Sequence, residues 1–228
     1  MATATINPDK SAFLLRRWQE ILDDPAFKDY HQRVETDEFG NIIMSPRPTG
    51  KHDKTCQSIC QVLNSLPGDG GFLEHEVLTD KGMKITDVLW VSPTHSWNRE
   101  SADPIIPAPD ICVEVRSPRN TVEVLIEKRD TYLRAGAKEV WICDDNRLYF
   151  FDSAGQIPAS KLCPWCPDNV VEIRRRLERP VQAAIRRALR GILQPFRKEP
   201  RAPVQRSGFS AWPSPVHPAT DEPPGPGR

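Results

Sequence analysis

The sequence predicts an α/β fold built on a mixed β-sheet with at least one parallel pair of strands. A helical segment, residues 121–135, lies between two apolar strand-like segments, "ICVEV" and "EVWIC". A strand, a crossover helix and a second strand are typical of a parallel pair. A hairpin pattern precedes this unit in "FLEHEVLTDKGMKITDVLWVS", with its turn at residues 80–82. The sheet therefore combines antiparallel and parallel neighbours.

The other elements follow from local patterns in chain order. Residues 11–23 carry apolar side chains at helical spacing, and "RVETDEFGNIIMSP" predicts two short strands around a Gly-Asn turn. "KHDKTCQSICQVLNSL" predicts a helix that ends at a cluster of glycines. "EVWICDDNRLYFF" predicts two strands around an Asp-Asp-Asn turn. A last helix is expected to start near Pro180, because proline is tolerated in a first helical turn.

Composition divides the chain into three parts: a folded domain over 1–170, a basic amphipathic helical extension over 171–194 and a disordered tail over 195–228. The tail is rich in proline and poor in aliphatic side chains, so it cannot bury enough surface to fold. Residues 172–201 contain ten basic and three acidic side chains. The extension could pack on the domain, contact a nucleic-acid backbone or lie on a membrane surface, and packing is favoured.

Charge and cysteine usage exclude some classes of protein. The chain has 31 basic and 31 acidic side chains, which excludes a uniformly basic nucleic-acid coat but not local patches. No stretch suits a signal peptide or a membrane span, and the six cysteines are irregularly spaced. We therefore expect a cytoplasmic protein without a membrane partner. The Cys163-Pro-Trp-Cys166 segment resembles half of a zinc knuckle, but a structural role is favoured because four ligands are needed.

Glu114 stands in the middle of a strand that otherwise favours burial. Strand alternation puts Asp110, Cys112, Glu114 and Arg116 on one face. A buried carboxylate without a partner costs several kcal/mol, so Glu114 must be paired, bound to a metal or exposed to water. We expect this face to open on a cleft. A structural salt bridge from Glu114 to Arg116 or Arg129 is the alternative.

Two further side chains could join Glu114. Asp87 opens the strand "DVLWV", and Lys128 lies at the edge of the apolar stripe of the following helix, from which it can reach the cleft. Two carboxylates and an ammonium suit hydrolysis of a phosphodiester with Mg²⁺ or Mn²⁺, since carboxylate oxygens bind these cations and the metal activates water. Spacing alone is a weak signal, and Lys128 could equally be a solvated helix residue.

Four stretches in the order "ETDEFGNIIMSPRPTGKHD", "KGMKITDVLWVSP", "APDICVEVRSPRNT" and "EKRDTYLRAGAKEVWIC" resemble the Uma-type family of restriction endonucleases, which belongs to the PD-(D/E)XK nuclease superfamily. They cover roughly residues 33–152. The resemblance implies a restriction-endonuclease-like, four-stranded mixed sheet with flanking helices and a site for a divalent metal.

Matched position by position, the resemblance implies that Asp87 and Glu114 bind the metal and that Lys128 is the catalytic lysine. Glu35 and His52 match a helper acid and a histidine at the start of the second helix. The sequence departs from the superfamily at two positions. Thr86 stands where a proline precedes the first aspartate, and Arg116 stands where the strand usually carries lysine. Arginine stays protonated and cannot act as a base.

These observations together predict a Mg²⁺- or Mn²⁺-dependent endonuclease that acts on DNA, with Arg116 and Arg119 contacting phosphates. A homodimer is left open. Two alternatives remain: a non-catalytic nucleic-acid-binding or interaction module on a degraded nuclease fold, and a phosphodiesterase that acts on RNA or a small nucleotide.

Overall fold

A computed structural model of the chain describes residues 6–27, 29, 34–44, 49–68, 70–97, 104–118 and 120–192. The predicted tail and Arg119 lie outside these residues. The helices are α1 (Pro8–Asp23), α2 (Gly50–Leu63), α3 (Val122–Arg134) and α4 (Val170–Ile192). The strands are β1 (Val34–Thr36), β2 (Ile42–Met44), β3 (Gly71–Thr79), β4 (Gly82–Trp90), β5 (Ile111–Val115), β6 (Glu139–Asp144), β7 (Arg147–Asp152) and β8 (Gly155–Ile157).

The main sheet has the order β3-β4-β5-β6-β7-β8, and β1 pairs with β2 in a small second sheet. Strands β5 and β6 are parallel, and every other neighbouring pair is antiparallel. Helix α3 connects the parallel pair, so the predicted mixed α/β sheet is confirmed. The expected count of four strands is wrong for this chain. Within the described residues the main sheet has six strands, because β7 and β8 extend it beyond β6.

Side-chain alternation along β5 separates two environments. Ile111, Val113 and Val115 belong to the main core cluster together with residues of α2, β4, β6 and the start of α4. Cys112 faces the other way and packs in a second cluster with Tyr132 of α3. The predicted alternation of β5 is therefore confirmed, and the face that carries Glu114 is the face covered by α3.

The small β1–β2 sheet is held against the start of β4 by a close backbone approach. Gly82 has a φ of +99°, and a Cβ atom there would lie 2.4 Å from the Thr36 carbonyl oxygen, so only glycine fits. The Met83 N–H donates to the Thr36 hydroxyl at 2.9 Å, and the Lys84 ammonium donates to the Thr36 carbonyl at 2.9 Å. This docking brings Glu35 beside β4.

Helix α4 begins ten residues before Pro180, so the predicted start near that proline is wrong. The Asn169 side chain accepts hydrogen bonds from the first N–H groups of the helix, and Val170 and Ile173 are fully buried in the main core. Capping and burial therefore set the start of the helix.

The chain divides into two compact units, residues 1–184 and residues 185–228. The first contains both sheets, helices α1 to α3 and most of α4. Of the second, the structure describes only the last turns of α4. Among the described residues, no helix combines the length and apolar character that crossing a membrane requires.

Candidate active site

Strands β4 and β5 separate at Asp87. Their ladder covers only Val88, Leu89 and Trp90 of β4, which pair with residues 111–113. Just beyond the ladder, the Thr86 hydroxyl lies 3.0 Å from the Val88 carbonyl oxygen and 3.1 Å from the carbonyl oxygen of Val113. The Val115 N–H donates instead to the Asp87 side chain, at 2.7 Å. Asp87 thus occupies an opening between two strands.

Asp87 meets the start of helix α2 on the accessible side of this opening. Its side chain is 22% exposed, and its Oδ2 lies 3.2 Å from His52 Nε2. The other imidazole nitrogen, Nδ1, lies 3.6 Å from the Cys56 thiol one helical turn later. Burial works against a charged imidazole at His52, but the hydrogen bond and charge of Asp87, aided by the Asp53 charge, raise its pKa.

A cavity of about 270 Å³ lies beside His52. It is lined by the start of α2, by the ends of β5 and β6, and by the segments that follow those strands, including Arg116 and Asp144. The carboxyl ends of neighbouring parallel strands are where α/β sheets commonly bind ligands. His52, which contacts Asp87, therefore lines a space large enough for a small ligand or for part of a larger one.

Glu114 lies in a closed environment, so the expectation that its face opens on a cleft is wrong. The residue is 1% exposed. Its Oε1 accepts a hydrogen bond from the Tyr132 hydroxyl at 2.8 Å, and its Oε2 lies 3.2 Å from Lys128 Nζ. Helix α3 covers this face of β5 and supplies both partners. Burial is tolerated here because the carboxylate is paired.

The alternative salt bridge from Glu114 to an arginine does not form. Arg116 pairs with Asp144 at 2.8 Å, and Arg129 pairs with its neighbour Asp130 at 2.7 Å. Both arginines have carboxylate partners of their own.

Lys128 is the centre of a buried charge cluster and is not a solvated helix residue. Its ammonium donates to Glu35 at 2.7 Å, to Glu114 and to the Ile85 carbonyl oxygen at 3.3 Å. Glu35 also accepts the Ile85 N–H at 3.2 Å, which fixes β1 beside β4. The structure therefore brings Glu35, Glu114 and Lys128 together and leaves His52 beside Asp87.

The electrostatics of this cluster reflect two acids that share one ammonium. Burial raises the pKa of Glu114 to about 8, and the negative charges of Asp87 and Glu35 act in the same direction against the opposing effect of Lys128. Burial disfavours a charged Lys128, but the surrounding carboxylates outweigh it and raise its pKa. The cluster holds more acidic groups than one cation can neutralise.

The donor atoms present fit a divalent cation. An ionised carboxylate has about four acceptor directions. The described residues use two of them at Asp87, and three contacts engage Glu114. Both groups therefore keep a free acceptor direction, and oxygen ligands are those that Mg²⁺ prefers. A second donor set, which contains a nitrogen and a sulfur atom, consists of His52, Cys56 and Asp87.

Sequence reasoning missed three participants in this region. In the sequence, Tyr132 is only one member of the apolar stripe of the helix that carries Lys128, and Cys56 is only one of six irregularly spaced cysteines. Glu74 lies on β3 opposite Asp87 of β4 and has a φ of +50°. Burial, followed by the charges of Asp87 and Asp53, raises the pKa of Glu74. The helical spacing of four residues between His52 and Cys56 is the signal in the sequence that links Cys56 to His52.

Comparison with known proteins agrees with this architecture. The sequence model of the Uma2 family, described as "Putative restriction endonuclease", matches residues 18–156. A crystal structure from Anabaena variabilis, described as "a putative nuclease belonging to DUF820", matches with a TM-score of 0.51 at 18% identity, covering 61% of this chain and 88% of that chain. No curated protein matches the chain. At this identity the crystal structure supports the fold alone.

Proposed function

We propose that this chain, which belongs to the Uma2 family, is a Mg²⁺-dependent endonuclease that hydrolyses phosphodiester bonds of DNA. The family and the fold support a nuclease in general. The metal, the DNA substrate and the roles of individual residues are the specific parts of the proposal. Mn²⁺ has the same preference for oxygen ligands and would substitute.

Asp87 and Glu114 would hold the metal ion between β4 and β5. When bound, Mg²⁺ lowers the pKa of a coordinated water and offsets charge that develops on the phosphate. Lys128 would orient the attacking water and stabilise negative charge in the transition state. Glu35 holds the Lys128 ammonium at 2.7 Å, and Tyr132 holds Glu114 at 2.8 Å, so both act as positioning residues.

The observation that carries the proposal is the contact between Lys128 and Glu114. In the superfamily pattern, the lysine stands two residues after the acid on the same strand, where this chain has Arg116. Here an ammonium from α3 lies 3.2 Å from Glu114 and also meets Glu35. The acid and lysine groups that the chemistry needs are therefore in contact, although the strand itself lacks the lysine.

Substrate phosphates would bind on the cavity side of the site. Arg116 lines the cavity, and the start of helix α2 adds oriented N–H groups. Arg116 now pairs with Asp144, so we expect a phosphate to compete with that carboxylate for the guanidinium. Arg119 and His52 remain predictions as a phosphate contact and a helper. The arginines of α4 are a further candidate contact to the DNA backbone.

Plasmid nicking with Mg²⁺ or Mn²⁺ tests the proposal. We expect the wild type to convert supercoiled plasmid to the nicked or linear form, EDTA to stop the reaction and Glu114→Gln to be inactive. Asp110→Asn is the matched control, because Asp110 is also a buried acid of this strand region but pairs with Lys138. Equal loss in both variants would indicate a structural effect and contradict the assignment of Glu114.

Arg116 favours a second candidate function, a binding module on a degraded nuclease site. An arginine at the usual lysine position, already paired with Asp144, would bind phosphate without activating water. A wild-type protein that shifts a labelled DNA duplex but does not cleave it with either metal would support this function. Cleavage of RNA or of a small nucleotide in preference to DNA would instead change the substrate class.

A further inference from the structure

His52 and Cys56 lie one helical turn apart on α2 and both face Asp87. Their donor atoms, a ring nitrogen, the thiol sulfur and a carboxylate oxygen, all lie within 4.8 Å of one another. No other group of three such residues meets this separation in the described part of the chain. Ligands of one Zn²⁺ ion lie roughly 3.5 Å apart, as bond lengths of about 2.0–2.3 Å and a tetrahedral angle require. Side-chain rotations can close the difference.

The chemistry of these three donors differs from that of the proposed Mg²⁺ site. Mg²⁺ takes oxygen ligands, whereas imidazole and thiolate ligands favour Zn²⁺ and related transition metals. Three protein ligands leave the fourth tetrahedral position for water, as in open zinc sites. His52 lines the 270 Å³ cavity, which supplies the space for that water.

Two contacts within the cluster already join all three side chains through the imidazole. Cys56 Sγ lies 3.6 Å from one ring nitrogen, and Asp87 Oδ2 lies 3.2 Å from the other. The other cysteine of α2, Cys60, is half-buried and is not part of the cluster. Cys163 and Cys166 pack in the main core. The set is therefore specific to one of the six thiols.

We propose that His52, Cys56 and Asp87 form a binding site for Zn²⁺ that shares Asp87 with the Mg²⁺ site. As the sulfur–zinc bond forms, the thiol proton passes to solvent, and no electron is transferred. Zn²⁺ at this site takes up an oxygen of Asp87 and places a second dication beside the Mg²⁺ site, so the two metals compete. Zinc then acts as an inhibitor of cleavage, a consequence that rests on the proposed nuclease function, whereas zinc binding itself does not.

Co²⁺ is a spectroscopic probe of this site in the full-length chain. Tetrahedral Co²⁺ with a thiolate ligand absorbs in the visible range and gives a sulfur-to-metal band in the near ultraviolet. We expect both signals in the wild type, their displacement by Zn²⁺, and loss of the near-ultraviolet band in Cys56→Ser. Cys60→Ser, on the same helix, should keep both signals. A band that persists in Cys56→Ser, or no band in the wild type, overturns the site.

A second variant guards against failure of Cys56→Ser to fold. His52→Asn should lose the tetrahedral visible spectrum, and a thermal melt of each variant shows whether it is folded. Retention of the wild-type spectrum by folded His52→Asn overturns the ligand set.

Inhibition is tested separately from binding. Cleavage with Mg²⁺ is measured for each variant with and without Zn²⁺, as a ratio. We expect the rate with Zn²⁺ divided by the rate without it to be far below one for the wild type and Cys60→Ser, and much closer to one for Cys56→Ser. An equal ratio in all three proteins overturns the proposed competition between Zn²⁺ and Mg²⁺. If the wild type binds Co²⁺ but never cleaves, the nuclease proposal fails while the binding site stands.

Discussion

Asp110 and Glu114 are two buried acids of the same strand region with opposite electrostatics. Asp110 accepts the Ser92 N–H at 2.7 Å and pairs with Lys138. Burial alone would raise the pKa of Asp110, but these two contacts outweigh it and lower the pKa. Glu114 also has a lysine partner, yet burial raises its pKa to about 8.

The number of acids for each cation accounts for the difference. Asp110 has an ammonium and an N–H group for one carboxylate. Glu114 shares the Lys128 ammonium with Glu35, and Asp87 adds a third negative charge nearby. Asp110 is therefore a satisfied structural ion pair, whereas the Glu114 cluster has more acidic groups than cations, which favours the protonated form of Glu114. Acids with a strongly perturbed pKa cluster at functional sites, and a cation bound beside Glu114 would favour its ionised form.

Asp87→Asn should have the largest effect on activity. We expect cleavage to fall by roughly 10³-fold or more, because losing a metal ion that stabilises the transition state removes several kcal/mol. The fold should be retained, since the asparagine oxygen can still accept the Val115 N–H. Initial rates of plasmid nicking and a thermal melt measure the two effects. A variant that unfolds would make Asp87 a structural residue instead.

Replacing the lysine partner of each acid tests the difference between Glu114 and Asp110 directly. Lys128→Ala should reduce the rate on the order of 10²–10³-fold through loss of one preorganised charge. It should also destabilise the protein by about 3–5 kcal/mol, because two buried acids lose their partner. Lys138→Ala should cost less stability, about 1–3 kcal/mol, and leave cleavage unchanged, because buried Asp110 loses its ammonium partner but keeps the Ser92 N–H. Denaturant unfolding and single-turnover cleavage measure both.

The stability loss in Lys128→Ala must be separated from the loss of rate. The double variant Glu35→Gln with Lys128→Ala removes one of the two unpaired acids, so it should recover stability without recovering the rate. Arg116→Lys in the Lys128→Ala background restores a lysine to the usual strand position and should recover part of the rate. Wild-type cleavage by folded Lys128→Ala would exclude the proposed role of this lysine.

Tyr132→Phe should have a smaller effect that is confined to the Glu114 side. The change removes the hydroxyl that donates to Glu114 at 2.8 Å and keeps the buried ring. We expect a loss of about 1–2 kcal/mol of stability, typical of a buried hydrogen bond. Tyr149→Phe on β7 is the control and should stay within about 0.5 kcal/mol of wild type. Equal unfolding midpoints for the two variants would contradict a positioning role for Tyr132.

The sequence predicts the fold well because its elements carry strong local signals. The β3–β4 hairpin has a turn pattern, and the β5–α3–β6 unit has apolar runs of the right length. Strand β8 was missed because three residues, Gly155–Ile157, are too few to show alternation. The start of α4 was missed because burial of Val170 in the core, a tertiary effect, sets it.

The candidate site was only partly predictable for a related reason. Helical periodicity correctly indicates that Lys128 can reach Glu114. Periodicity does not indicate whether a polar strand face is open or covered, so the burial of Glu114 beneath α3 was not foreseen. The Cys56–His52–Asp87 cluster joins two elements 31 residues apart in sequence, between Cys56 and Asp87, and depends on how α2 packs on β4. Such contacts between distant segments leave no local pattern.

The effect of Asp110→Asn on the pH dependence of stability should be the smallest of these effects, and it distinguishes Asp110 from Glu114 most directly. Because folding lowers the pKa of Asp110 below 3.8, its charge contributes stability above that pH, and the contribution is lost as the pH falls through the folded pKa. The stability of the wild type should therefore exceed that of Asp110→Asn at pH 6, and the excess should shrink as the pH falls below 3.8. The difference in stability between wild type and Glu114→Gln, both measured in EDTA, should have the opposite slope. The pKa of Glu114 rises from 4.5 to about 8 on folding, so the wild type loses stability relative to the variant as the pH rises through that range. Urea unfolding of the three proteins between pH 3 and 9 measures both slopes, and slopes of the same sign would contradict the distinction between the two acids.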